Sequence, residues 1–198
     1  MSIKKKSRRA YFAGFIGMNR TGKTVTALQM VKEYKKANPK NEIFAFDPQN
    51  KFSEIADYII QDKNDVINLL DRKDALLIMD DYQALYTQDS TDANFTSLLT
   101  YRAEHGIDIF FITHHPALIK QKFSYYMSHL FIFPCNLSKD VVGIDKKVPN
   151  GTFIESLFRI IDEEVTITGG LAENEKLYPN FKYIVYDYST QKYKRANF

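Results

Sequence analysis

Gly17-Met18-Asn19-Arg20-Thr21-Gly22-Lys23-Thr24 carries the spacing G-x-x-x-x-G-K-[ST], and the residues on both sides decide how it is read. Before it stands Ala10-Tyr11-Phe12-Ala13-Gly14-Phe15-Ile16, an apolar, aromatic-rich run of strand length. After it, from Thr24 to Lys36, Val25, Leu28, Val31 and Tyr34 recur every three residues with Ala27 beside them, while Lys32, Glu33, Lys35 and Lys36 are left for water. The spacing predicts strand, phosphate-binding loop and helix, with Asn38-Pro39 ending the helix.

Each fixed residue of the loop has its own task. Gly17 and Gly22 can adopt dihedrals that a β-carbon would penalise, which brings backbone N–H groups close to phosphate oxygens. Those amides, with the positive end of the helix behind them, form an anion cradle. Lys23 reaches the β and γ phosphates, and the Thr24 hydroxyl takes one place on an octahedral Mg²⁺. Asn19, Arg20, Thr21 and Val25 complete the expected nucleotide contacts. The expected ligands are ATP and Mg²⁺.

The same strand and helix alternation continues downstream. Glu42 to Phe46 is a buried strand that ends in the turn cluster Asp47-Pro48-Gln49-Asn50. Lys51 to Leu70 reads as short helical pieces with Phe52, Ile55, Ile59, Ile60, Val66, Ile67 and Leu69 as core. Ala75 to Met79 is a central parallel strand closed by Asp80-Asp81. A polar loop over Thr87 to Asn94 leads into a helix through Phe95, Leu98, Leu99 and Tyr101, stopped by Gly106. Ile107 to Thr113 is a further buried strand ending at His114-His115-Pro116, and His129 to Phe133 is another.

The fold class is therefore α/β: a doubly wound, mostly parallel sheet with helices on both faces and ligands at the carboxyl ends of its strands. Residues 1–9 are a basic tail, 10–135 the core, and 136–198 a small α+β appendage of the same domain with a strand pair near its end.

Hydrolysis needs a metal ligand and an oriented water as well as a phosphate cradle. Asp80, at the end of an apolar strand, is the candidate to hold Mg²⁺ opposite Thr24, directly or through a water, and Asp81 the candidate to polarise the water. His114 could touch the γ phosphate or the water. Phosphoryl transfer also gains from an arginine at the γ phosphate, often from a neighbouring subunit; Arg102 is the first candidate and Arg159 the second, with Arg20 inside the loop a third. The bland alternatives are turn aspartates, a hydrogen-bonded strand-end histidine, and arginines that are surface helix charges.

With these residues in place, the order of motifs resembles the FtsK/HerA division of P-loop ATPases. The loop and the Asp80-Asp81 strand end are shared widely, but Phe46-Asp47-Pro48 followed by Phe52-Ser53 is similar to this division's second-strand D-P element. Gly106 to Pro116 is similar to its segment of glycine, buried strand, polar sensor and proline. Two positions depart from the pattern: Asp81 stands where glutamate is usual, and His114 where glutamine or asparagine is usual.

Within the division, the short core is most like the genome-packaging ATPases of tailless, internal-membrane viruses with double-jelly-roll capsids. That resemblance implies ATP hydrolysis between the subunits of a homo-oligomeric ring, a trans-acting arginine, double-stranded DNA as cargo, and capsid or virion vertex proteins as partners. The filamentous-phage assembly ATPases, similar to zonular occludens toxin, usually carry a membrane span; none is expected here, which favours the packaging group.

Composition sets the remaining bounds. The chain has 198 residues, 44% hydrophobic, enough for one well-cored domain. No apolar run approaches the roughly 20 residues that span a bilayer, and the single cysteine, Cys135, has no internal disulfide partner; both point to a reducing compartment inside a cell, which the viral resemblance makes the host cytoplasm, with the virion as a second place. Net charge is +3, with Lys4, Lys5, Lys6, Arg8 and Arg9 concentrated in the tail. That tail could meet nucleic-acid phosphate or anionic lipid, or simply be solvated. Lys120, Lys122, Lys139, Lys146 and Lys147 are further candidates for backbone contacts. Two other functions compete: a small-molecule kinase, disfavoured because residues 114–147 contain no arginine for a lid, and a nucleotide-gated interaction protein without fast turnover.

Overall fold

The computed structural model describes residues 10–17, 19, 21–80, 93–114, 125–133 and 182–197. The expected alternation is present. Strand β1 (Phe12–Ile16) leads through the loop into helix α1 (Lys23–Ala37), followed by β2 (Glu42–Phe46), the two-residue β3 (Tyr58–Ile59), a 3₁₀ helix (Lys63–Asp71) and β4 (Ala75–Met79). Helix α2 (Ala93–His105), β5 (Asp108–Thr113), β6 (His129–Ile132), β7 (Lys182–Asp187) and β8 (Lys192–Asn197) complete the described elements.

All eight strands form one sheet in the order β3-β2-β4-β5-β1-β6-β7-β8. The first six run parallel, and β7 and β8 are antiparallel additions. The strand pair expected near the chain's end is therefore part of the central sheet, hydrogen-bonded to it through β6.

Every residue of β1, β4 and β5 is buried, as strands covered on both faces must be. Side chains alternate between two cores. Phe12, Leu77, Ile109 and Phe111 pack with Phe95, Leu98 and Leu99 of α2 and Val66 and Leu69 of the 3₁₀ helix on one face. Phe15, Ile43, Ile78 and Ile112 pack with Ala27 and Val31 of α1 and with Phe52 on the other. Phe15 stacks on Phe131 across the β1–β6 pair, with centroids 4.6 Å apart. Fully burying side chains of this size contributes about 1.5–3 kcal/mol each.

Three local expectations are corrected. Val25 is 36% exposed rather than core-facing, because it sits two residues, about 200° of helix rotation, from Ala27 on the buried face. Ile59 is exposed and belongs to a strand, since Tyr58 and Ile59 pair with Phe44 and Ala45 at the sheet's edge. Tyr101 is also exposed; the buried stripe of α2 is Phe95, Leu98, Leu99 and Arg102, the i, i+3, i+4, i+7 pattern.

Candidate nucleotide site

Strand order decides what the loop faces. Strand β5 lies between β1 and β4, so the carboxyl ends of β1, β5, β4 and β2 stand side by side at about 4.8 Å spacing. Ile16 is in register with Thr113, Phe111 with Met79, and Met79 with Phe46. One residue further along, Gly17 is level with His114, and Asp80 with Asp47. The loop, His114, Asp80 and Asp47 thus share one edge of the sheet.

Gly22 caps α1 with φ 92° and ψ 3°, and Gly17 has φ 148°, conformations that favour glycine. The carbonyl of Gly22 accepts the first helical bond from Thr26 N at 2.9 Å, so the cradle is continuous with the helix and its dipole. Thr21 and Lys23 are buried, whereas Asn19 and the Val25 side chain are exposed. Thr24 is half-buried at the start of α1.

Asp80 is 3% exposed, and its backbone N–H donates to Phe46 O at 2.9 Å, tying the end of β4 to β2. Its Oδ2 accepts from Lys51 Nζ at 3.2 Å. The donor set suits Mg²⁺. A buried carboxylate already holding one cation, together with a threonine hydroxyl, supplies hard oxygens. No cluster of three or more acidic, histidine or cysteine side chains exists among the described residues to make a metal cage. Two protein ligands with nucleotide oxygens and water is the usual Mg²⁺ arrangement.

Arg102 is a correction. It lies at the opposite, amino edge of the sheet, 5.7 Å over the ring of Phe12, the first residue of β1. It is 8% exposed, so it is no surface charge either. Its Nη1 donates to Leu99 O at 2.7 Å and its Nη2 to Tyr126 O at 2.8 Å. Burial pushes the guanidinium pKa down, opposed by nearby Asp108. This arginine joins α2 to the segment before β6, at the sheet edge opposite its own loop. Arg20, Asp81, His115 and Arg159 lie outside the described residues, as do the five lysines from Lys120 to Lys147.

Lys51 and Asp47 also lie at the loop's edge of the sheet, beside Asp80, and sequence reasoning gave neither a role there. Asp47 was read as part of a turn and of the D-P element, without a task at the site. The signal was available in one form: a lysine four residues beyond an aspartate that ends a buried strand.

The profile of the family described as zonular occludens toxin (Zot) matches residues 13–192, taking in the loop, Asp80 and the strands from β1 to β7, with only the first residue of β8. The chain belongs to the Zot family. The membrane-span argument that set this group behind the packaging ATPases therefore did not hold, although no described helix is long and apolar enough to cross a membrane.

Among solved structures, this Zot-family chain is similar to the genome-packaging NTPase B204 of Sulfolobus turreted icosahedral virus 2 in complex with ATP-gammaS, at TM-score 0.64 and 13% identity over 94% of this chain and 96% of that one. The B204 DNA-packaging ATPase of Sulfolobus turreted icosahedral virus gives 0.68 at 14% identity, over 94% and 97%. The N-terminal domain of zonular occludens toxin from Neisseria meningitidis gives 0.51 at 15%, over 66% and 80%. At these identities the shared property is the P-loop NTPase fold. No curated protein matches the chain.

Proposed function

We propose that this chain is an ATP-hydrolysing motor that moves DNA, with packaging of double-stranded DNA into a capsid as the specific task. The observation that carries the reading is the shared strand-end edge, where a glycine-shaped anion cradle with buried Lys23 lies beside His114 and the buried carboxylate Asp80. The likeness to B204 over 94% of the chain supports the cargo.

Lys23 and the loop amides would bind and orient the phosphates. Thr24 and Asp80 would hold Mg²⁺, which when bound neutralises charge on the β and γ phosphates. His114 is level with the cradle and would contact the γ phosphate or the attacking water, and Asp81 would polarise that water. The trans arginine falls to Arg20 or Arg159 of a neighbouring copy in a ring.

A second reading, an assembly or export ATPase of the filamentous-phage type, is favoured by the Zot family match. Steady-state ATP turnover with duplex and with single-stranded DNA at several salt concentrations separates the two. Packaging predicts stimulation by duplex DNA that declines steeply with salt. Stimulation confined to single strands favours phage assembly, and phosphoryl transfer to a nucleoside with no DNA response would make it a kinase. Lys23→Ala and Asp80→Asn should each lower turnover by about 10²-fold or more.

A further inference from the structure

The turn after β2 is braced more firmly than a connecting loop needs to be. Asp47 is 6% exposed; its Oδ2 accepts from Phe52 N at 2.5 Å, and its carbonyl accepts from Asn50 N at 3.1 Å. Asn50 takes φ 58° and its carbonyl accepts from Ser53 Oγ at 3.0 Å. Phe52, the next residue but one, is fully buried in the α1-side core. Between Asn50 and Phe52, this frame presents Lys51, whose Nζ lies 3.2 Å from Asp80 Oδ2. The side chains differ sharply in exposure, 36% for Lys51 against 4% for Asp80. The carboxylate is fixed and the ammonium has an open path to water.

A buried carboxylate needs a positive partner, and here the chain provides one. An ammonium and a divalent cation on the same carboxylate repel each other strongly at contact distance. The repulsion sets the two in competition for Asp80.

We propose that Lys51 is a built-in counter-ion of Asp80 which the divalent cation of the incoming nucleotide displaces, so that the Asp47–Ser53 turn registers arrival of the metal. The inference rests on the metal and nucleotide reading of the site, and not on the identity of any cargo. Lys51 is a positioning residue: it occupies Asp80 before the metal arrives, and by competing for the carboxylate it sets how tightly the site holds its cation.

The test is titration of Mn²⁺ into the protein loaded with a non-hydrolysable ATP analogue, with free Mn²⁺ read by electron paramagnetic resonance. Lys51→Met should bind Mn²⁺ about tenfold more tightly, allowing for partial solvent screening of the pair. Lys51→Arg should behave as the unaltered chain. Asp80→Asn should weaken Mn²⁺ binding and abolish the effect of Lys51→Met in the double variant.

If Asp80→Asn weakens binding while Lys51→Met leaves it unchanged or weaker, the counter-ion role is overturned and the metal site stands. If Asp80→Asn leaves Mn²⁺ affinity unchanged, the metal reading falls and takes the inference with it. The unaltered protein gives a second measurement that needs no variant. Acetylation of Lys51, followed by mass spectrometry, should speed up several-fold when Mn²⁺ joins the analogue, and an unchanged rate overturns the displacement.

Discussion

A β-carbon on Gly14 would lie 2.4 and 2.8 Å from two ring atoms of Phe111 and 3.0 Å from Leu130 Cδ1, so β1 can pass between β5 and β6 only without a side chain there. Phe111 is buried and cannot swing away. Gly14→Ala should cost about 1–3 kcal/mol in urea unfolding, and adding Phe111→Leu should recover part of that loss. Arg102 yields a prediction of a different kind. Arg102→Met leaves the carbonyls of Leu99 and Tyr126 without these donors, so stability should fall by about 1–3 kcal/mol while turnover per folded molecule is unchanged. A large loss of turnover at full stability would restore it as a catalytic arginine. Its burial was legible in the sequence, since it stands seven residues after Phe95 on the stripe through Leu98 and Leu99. Charge was given more weight than periodicity. The Lys51–Asp80 contact had no such pattern, because it joins residues 29 apart that only strand pairing brings together.

The β7–β8 hairpin is the element whose placement owes least to local signals. A strand pair near the end of the chain was readable, but its union with β6 depends on the pairing of His129 with Asp187 and Ile132 with Ile184. The turn is organised by Asp187, whose carboxylate accepts from Ser189 N at 2.8 Å, Ser189 Oγ at 2.6 Å and Thr190 Oγ1 at 3.0 Å. These bonds, the Ser189 hydroxyl first, hold its pKa at about 2. The contribution is present above the ordinary carboxylate range and is lost as pH falls through about 2. Asp187→Ala should speed amide hydrogen exchange across 182–197 and leave β1, β4 and β5 protected. His129, opposite Asp187, has its pKa lowered by burial, with Lys194 adding to the effect and Asp187 opposing it. The folded state therefore takes up the proton less readily than the unfolded chain. Stability is full above the ordinary histidine value of 6.5 and declines as pH drops through the lower folded value. Melting temperatures between pH 8 and pH 5 should show this decline, and His129→Phe should reduce it.

At the scale of the whole molecule, the parallel α/β architecture and the loop followed directly from alternation and spacing. The insertion of β5 between β1 and β4 did not, because neighbours in a sheet need not be neighbours in the chain. That insertion carries the functional reading, and it predicts that His114→Ala lowers kcat by about tenfold or more with little change in nucleotide affinity, measured by fluorescent ATP-analogue binding beside turnover. Outer strands of a sheet are a different matter, since an unpaired ladder invites another chain to add to it. Among the described residues one outer strand, β3, is two residues long, and the other, β8, sets exposed Lys192 and Lys194 along its length. Such edges resist lateral β-addition and the growth of fibres. Copies of this chain that form a closed assembly would then meet through helical faces and loops, and each subunit's sheet would remain its own.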